Sequence, residues 1–226
     1  MKVLFFSKKD KKDILKLLNK KVDVVEDNPE VVIVQGGDGT FMRSESEFPG
    51  VPKLLLKDSR ICKLCSHLPN EEVIKKFLSN DYVEKEIMKI KAKVGNESVS
   101  GINDVIVHNK DPRHAIRYTV SVNGKRFIDE EVIGDGVVVA TPLGSTGYYR
   151  SITDSFFQTG IGLAFNNSTE QSDHVVLKED SIITIEIQRG PALVYADNNK
   201  KEIILNNGDK VSIVKSDETA KIIKVN

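Results

Sequence analysis

Five residues, Gly36-Gly37-Asp38-Gly39-Thr40, set one carboxylate among three glycines and a hydroxyl directly after the apolar run Val31-Val32-Ile33-Val34-Gln35. A bounded β-branched run of this kind reads as a buried strand. Glycines at its end let the backbone turn tightly and approach a ligand, and a helix starting there turns unpaired N–H groups and a positive dipole end toward it. Such a corner suits phosphate. A cradle built only for affinity would avoid the negative charge of Asp38, so this side chain is expected to hold a metal ion or take a proton, which points to phosphoryl transfer. Taken alone, the same residues also read as ordinary strand-to-helix punctuation. They do not stand alone. A second glycine-rich corner, Asp135-Gly136 through Thr141-Pro142-Leu143-Gly144-Ser145-Thr146-Gly147-Tyr148, is again an apolar run that empties into small hydroxyl-bearing residues. A Walker-type P-loop is absent, because no Gly-Lys-Ser/Thr follows the glycines.

The elements that must position these residues follow from periodicity. Lys2 to Phe6 reads as a first strand, and Ser7-x-x-Asp10 as a helix start ahead of Ile14, Leu17 and Leu18 on one face. Val22 to Val25 reads as a short strand, Val31 to Gln35 as the strand delivering Asp38, and Pro52 to Leu56 as another. Asn70 is expected to cap a helix bearing Val73, Ile74, Phe77 and Leu78. Strand alternating with helix implies an α/β domain with a mostly parallel sheet and ligands at its C-terminal edge. Near Asp81 the character changes. Tyr82 to Val94, Ser98 to Val107, Ala115 to Val122 and Val132 to Ala140 are strand-like, followed by Ser181 to Gln188, Ala192 to Ala196, Glu202 to Leu205 and Lys210 to Val214. Asn123-Gly124 is a tight-hairpin signal. The expected organisation is therefore residues 1–81 as the α/β domain and 82–226 as a mainly β domain, with the active site in the crevice between them.

The 226 residues include 39% hydrophobic ones, enough for a real core. Lys+Arg and Asp+Glu both number 33, so no global charge steers the chain toward nucleic acid or an anionic membrane. Lys8, Lys9, Lys11 and Lys12 form a local basic cluster that reads as a solvated helix face. No apolar stretch approaches the roughly 20 residues of a membrane span, and the start Met1 to Phe6 is too short for a secretion signal, so a cytoplasmic location is expected. Cys62 and Cys65 form a C-x-x-C pair that could be a redox pair or half a zinc site. No second pair exists to complete four zinc ligands, and reduced thiols packed as small hydrophobes are the expected state.

In order and spacing, the two corners together resemble the NAD kinase family, which carries GGDGT in an N-terminal domain and DG…TPTGSTAY in a C-terminal β-rich domain. The family's Asn-Glu pair between them is matched by Asn103-Asp104. GGDGT is shared with lipid kinases and phosphofructokinases; the Thr141-Pro142-Leu143-Gly144-Ser145-Thr146-Gly147-Tyr148 segment is what selects this family. The resemblance implies transfer of the terminal phosphate of ATP, with polyphosphate as another potential donor, to the 2′-hydroxyl of the adenosine ribose of NAD. It implies Asp38 as the catalytic residue. Gly36, Gly37, Gly39 and Thr40 would hold phosphate oxygens while a divalent ion, magnesium, offsets their charge. Asn103 and Asp104 match the pair that binds ribose hydroxyls. Thr146, Gly147, Tyr148 and Ser151 match contacts to the adenosine, and Asp135 an aspartate that helps hold the dinucleotide near a subunit contact. Asp197 resembles the family's late Asp-Gly, with Asn198 in place of the glycine. The family also implies a homodimer or homotetramer.

Four positions depart from the family pattern. Asp104 replaces glutamate and reaches one methylene less far, and Leu143 replaces a hydroxyl residue. Lys57 to Leu64 occupies the place of a GxLGFL segment, and Ser151-Ile152-Thr153-Asp154-Ser155 lacks a following Gly-Gly-Pro. Beside an active NAD kinase, these departures leave two other readings, a non-catalytic NAD(P)-binding sensor or partner protein of the same fold, and a GGDGT kinase acting on a lipid or sugar.

Overall fold

A computed structural model describes residues 1–7, 12–18, 21–169 and 173–226. The expected Ser7-x-x-Asp10 helix start and the basic side chains of Lys8, Lys9, Lys11 and Lys12 lie outside the described residues. The chain forms two units, Met1–Ile87 with Glu218–Asn226, and Met88–Asp217.

The first unit contains β1 (Lys2–Phe6), α1 (Lys12–Leu18), β2 (Asp23–Val24), β3 (Val31–Gly36), α2 (Asp38–Glu47), β4 (Lys53–Lys57), α3 (Asn70–Leu78) and the start of β5 (Tyr82–Val94). Strands β2, β1, β3 and β4 lie side by side in that order, all parallel. Ile222 and Ile223 from the end of the chain add a further parallel partner beside Lys53 and Leu54. Val31 to Val34 are all buried, as a strand covered on both faces requires, which is why this segment is a continuous apolar run rather than an alternating one. Helix α3 inserts Val73, Ile74 and Phe77 into a core shared with Ile33, Leu54 and Leu56. Its cap differs from expectation. Pro69 holds the N-cap position, and the Asn70 amide instead pairs with both backbone groups of Lys57 at 2.8 and 3.0 Å, tying the helix start to the end of β4. The fully buried Lys53 ammonium meets the Glu45 carboxylate and donates to the Phe48 carbonyl. That pair anchors the C-terminal end of α2, the helix whose first residue is Asp38.

The second unit continues with β6 (Glu97–Gly101), β7 (Asp104–Asn109), β8 (Ile116–Val122), β9 (Lys125–Arg126), β10 (Val132–Gly134), β11 (Gly136–Ala140), a 3-10 turn at Gly144–Thr146, α4 (Tyr148–Thr153), β12 (Ile161–Asn166), β13 (His174–Leu177), β14 (Ile183–Arg189), β15 (Ala192–Ala196), β16 (Glu202–Leu205) and β17 (Lys210–Val225). One antiparallel sheet has the order β13-β12-β11-β7-β15-β16. In the other, β10-β8-β14-β17 pair antiparallel, with β9 closing a hairpin on β8 and β6 closing one on β5. Asn123 and Gly124, at φ 52° and 76°, make the expected tight turn. Inward residues of both sheets, among them Val105, Val107, Val120, Val139, Ile185 and Val194, share one core.

The expected boundary at residue 81 differs from the observed division in two ways. The first unit extends to Ile87, and residues 218–226 return to it through the far end of β17, a strand three times longer than the Lys210 to Val214 expected. Charged Ser216-Asp217-Glu218 hides its continuation from the sequence. Two further expectations are corrected. Ser98 to Val107 and Val132 to Ala140 are each two strands, because the chain passes from one sheet to the other at Ile102-Asn103 and again at Asp135. At the second crossing Gly136 adopts φ +135°, and a Cβ there would drive into the Val107 carbonyl, so only glycine fits. No helix among the described residues is long and apolar enough to cross a membrane.

Candidate active site

The glycine corner sits where the sequence places it, at the end of β3 and the start of α2, with Gly37 as N-cap and Asp38 in the first turn. A Cβ on Gly36 would overlap the Thr40 side chain, and one on Gly37 would press against Ser59 at 2.9 Å and the Ile61 carbonyl at 3.1 Å. Glycine is needed here for close packing, not for an unusual φ. The atoms pressing on Gly37 belong to the segment after β4. It is this segment that meets Asp38: the Lys63 N–H donates to Oδ2 at 2.9 Å and the Leu64 N–H to Oδ1 at 3.1 Å. The Leu64 carbonyl in turn accepts from the Lys224 ammonium. Burial and the neighbouring Lys85 lower the pKa of Lys224, while the attraction of Asp38 opposes that fall.

Cys62 and Cys65, expected as separate reduced thiols, are joined in a disulfide with their Cα atoms 5.4 Å apart. A tight turn at this spacing brings the two Cβ atoms within bonding reach. Cys62 Sγ also lies 3.4 Å from Asp38 Oδ1.

The second unit gathers the other candidates around its two sheet crossings. Asp197, at the end of β15 with a left-handed φ of 48°, accepts the backbone N–H groups of Ile102 and Asn103 at 2.8 Å each and of Asp104 at 3.2 Å. Its carboxylate thereby shapes the corner that carries Asn103 and Asp104. Thr141 fastens the same corner from β11, its N–H donating to the Asn103 carbonyl at 2.8 Å and its hydroxyl to the Ile102 carbonyl. Gly144 rests directly on the Asn103 backbone, where any Cβ would collide.

The remaining candidates lie on the turn and helix that follow. The hydroxyls of Thr146 and Ser151 donate to the Leu143 and Tyr148 carbonyls at 3.2 and 2.7 Å, which leaves their oxygens as acceptors. Gly147 is exposed at the N-cap of α4. The Tyr148 hydroxyl accepts from the Asn166 amide at 3.1 Å, and its pKa is raised by burial and by Asp135 and Asp104. Asp135 is fixed by the amides of Asn109 and Asn167, both at 3.1 Å.

Sequence reasoning missed three contributors. Thr141 and Ser145 were read only as parts of a motif, yet both are buried and their hydroxyls tie the turn together. Tyr195 packs with Tyr148 on the apolar cluster of Ile106, Val138 and Ala140, and its pKa is raised by burial, then by Tyr148 and Asp104. The signal for it was the alternation of β15, in which Ala192, Val194 and Ala196 are buried while Leu193 and Tyr195 face the other side.

Asp104 is 6% exposed. Burial, and secondly the charge of Asp197, push its pKa up to about 7. Burial also raises that of Asp197, against the three N–H donors, which favour its ionised form. Of the two, Asp197 is the carboxylate whose hydrogen bonds favour ionisation, and Asp104 the one that burial and its neighbour push toward the protonated form. Because the folded-state pKa of Asp104 is raised, its stabilising contribution is complete below about pH 4 and is lost as pH rises through about 7. The family resemblance implies that Asp104 takes a ribose diol, whose hydroxyls would donate best to the ionised form. On that expectation the KM for the diol-bearing substrate falls as pH rises through about 7, by on the order of tenfold across the transition. Asp104→Asn should flatten that profile; initial-rate kinetics between pH 5.5 and 8.5 on both proteins measure it.

Comparison with known proteins bears on the fold and the family. The family profile for the ATP-NAD kinase C-terminal domain matches residues 102–225. The NAD kinase of Nitrosococcus oceani is 30% identical over 86% of this chain and 71% of its own length. That of Thermoplasma acidophilum is 27% identical over 92% and 79%. Among solved structures, an NAD kinase from Archaeoglobus fulgidus in complex with ATP superposes over 100% of this chain and 93% of its own, with a TM-score of 0.81 at 20% identity. A yeast NADH kinase complexed with NADH covers 100% and 84%, with a TM-score of 0.82 at 16% identity. The fold is thus that of the dinucleotide kinases. With more than half its length matched by the family profile, the chain belongs to the NAD kinase family.

Proposed function

We infer that this chain is an NAD kinase, transferring the terminal phosphate of ATP to the 2′-hydroxyl of the adenosine ribose of NAD to make NADP. The observation that carries the reading is the Asp38 carboxylate at the glycine-lined start of α2, within a chain of this family. Asp38 accepts the proton of the 2′-hydroxyl as that oxygen attacks phosphorus. The backbone of Gly36, Gly37 and Gly39, the Thr40 hydroxyl and the positive end of α2 hold the phosphate oxygens. In the second unit, the Asn103 amide and Asp104 carboxylate take the ribose hydroxyls, while Thr146, Gly147, Tyr148 and Ser151 receive the adenosine, flanked by Tyr195. Asp197 keeps the ribose-binding corner in shape, and Asp135 orders the neighbouring Asn109 and Asn167 amides.

Among the described residues no group of three or more His, Cys, Asp and Glu side chains is placed to hold a metal ion. A magnesium ion carried by the triphosphate is the proposed cofactor, which the family resemblance supports. When bound, it neutralises charge building on the transferred phosphoryl group. We further place the enzyme in the cytoplasm as a homodimer or homotetramer, with polyphosphate as a second donor to be tried; the family resemblance supports each of these. Incubation with ATP, magnesium and NAD, followed by an NADP-specific dehydrogenase, tests the reaction. NADP formation supports it. Dinucleotide binding without phosphate transfer would establish the non-catalytic sensor reading instead, and phosphorylation of a lipid or sugar but not of NAD would establish the other.

A further inference from the structure

We propose that Cys62 and Cys65 form a reversible thiol–disulfide site, exchanging with a dithiol, whose oxidised form holds Asp38 back from catalysis. Three observations converge on it. The two residues between the cysteines, Lys63 and Leu64, are the ones whose N–H groups grip the two oxygens of Asp38, at 2.9 and 3.1 Å. The disulfide closes that grip into a small ring, further tightened by the Cys65 N–H pointing at Cys62 Sγ at 3.2 Å. Finally, the ring is fastened to the corner itself: Cys65 is buried with Sγ 3.8 Å from the Gly36 carbonyl, and Lys224 holds the Leu64 carbonyl from the far side. A carboxylate so engaged has both oxygens fixed in orientation, with an acceptor site on each already filled. Opening the ring frees the backbone that carries the two donors.

The chemistry balances with a dithiol as reductant. Its thiolate attacks the half-buried Cys62 sulfur, the S–S bond breaks, and the Cys65 sulfur leaves with the electron pair and takes a proton. The second thiol of the reductant attacks the mixed disulfide and releases Cys62 as a thiol. Two electrons and two protons have then passed to the protein, and the reductant has become a disulfide; the reverse exchange restores the ring. Reversible disulfides of this kind are the ones expected where thiols are otherwise kept reduced.

The proposal rests on Asp38 being the catalytic base, so the experiment has arms that do and do not depend on kinase activity. The protein is equilibrated in dithiothreitol and its oxidised form at varied ratio. The thiol content is read by alkylation and mass spectrometry, amide exchange at Lys63 and Leu64 by hydrogen–deuterium exchange, and NADP formation by the coupled assay. The expected result is one titratable two-electron step. Across it the two amides exchange on the order of tenfold faster in the reduced form, and kcat is on the order of tenfold or more higher. Cys62→Ser/Cys65→Ser should keep the reduced-form kcat at every ratio. A pair that never changes state, equal exchange in both forms, or NADP formation at equal kcat in both forms would each overturn the proposal. If NADP forms in neither state while exchange still switches, the kinase reading fails and the thiol–disulfide site stands.

Discussion

Asp38→Asn is expected to lower kcat by roughly 10²- to 10⁴-fold while leaving KM for ATP and for NAD nearly unchanged. The substitution keeps the size and shape of the side chain and one acceptor oxygen, so α2 can start as before. What is lost is the group proposed to take the proton, a role that matters only in the transition state, and such losses appear in kcat rather than in binding. There is a structural cost too. The Asn amide nitrogen cannot accept, so either the exposed Lys63 or the half-buried Leu64 N–H loses its partner, at about 0.5–1.5 kcal/mol since water can replace it. Thermal unfolding therefore separates the two effects: a modest fall in Tm beside a collapse in kcat supports a chemical role. A variant that turns over normally would remove Asp38 from the mechanism and leave it as a clamp for the segment after β4.

Asp197→Ala is expected to cost roughly 3–5 kcal/mol of stability and to raise KM for NAD on the order of 10- to 100-fold. Three N–H groups converge on this carboxylate, and those of Ile102 and Asp104 belong to buried residues. Alanine leaves all three without the acceptor that bends the chain from one sheet to the other. The Asn103-Asp104 corner then relaxes, and the two side chains assigned to the ribose lose their common orientation. Removing Asp197 also takes away one of the two influences that raise the Asp104 pKa, so the pH dependence of KM should move toward lower pH. Urea unfolding and pH-dependent kinetics check these together. Unchanged stability would mean that the corner is held by Thr141 and Gly144 alone.

Much of this arrangement was legible in the chain because local chemistry and fold agree at the places concerned. The all-apolar Val31 to Val34 announced a doubly covered strand, the glycines after it a close approach, and Asn123-Gly124 a hairpin. What failed was continuity. Asn103 and Asp135 lie inside runs that look like uninterrupted strands, and only long-range partners break them: Asp197, 94 residues from Asn103, and the second sheet that claims β11 from β10. Strand β12 was missed because Gly160 and Gly162 dilute its apolar signal, although Gly162 is glycine for a packing reason, since a Cβ would strike the rings of Phe157 and Tyr149; β13 is only four residues long. The segment from Lys57 to Leu64 was legible as a departure from the family pattern but not as a partner of Asp38. Its hydrogen bonds span 25 and 26 residues, and no periodicity records them.

The central claim is that Asp38 acts on the ribose hydroxyl, and a crystal structure of the reduced enzyme with NAD, magnesium and a non-hydrolysable ATP analogue tests it most directly. The account predicts an Asp38 carboxylate oxygen within about 2.6–3.2 Å of the ribose 2′-oxygen, in line with the terminal phosphorus. Finding Asp38 still bound to the Lys63 and Leu64 amides, with a different residue at the 2′-oxygen, would contradict it.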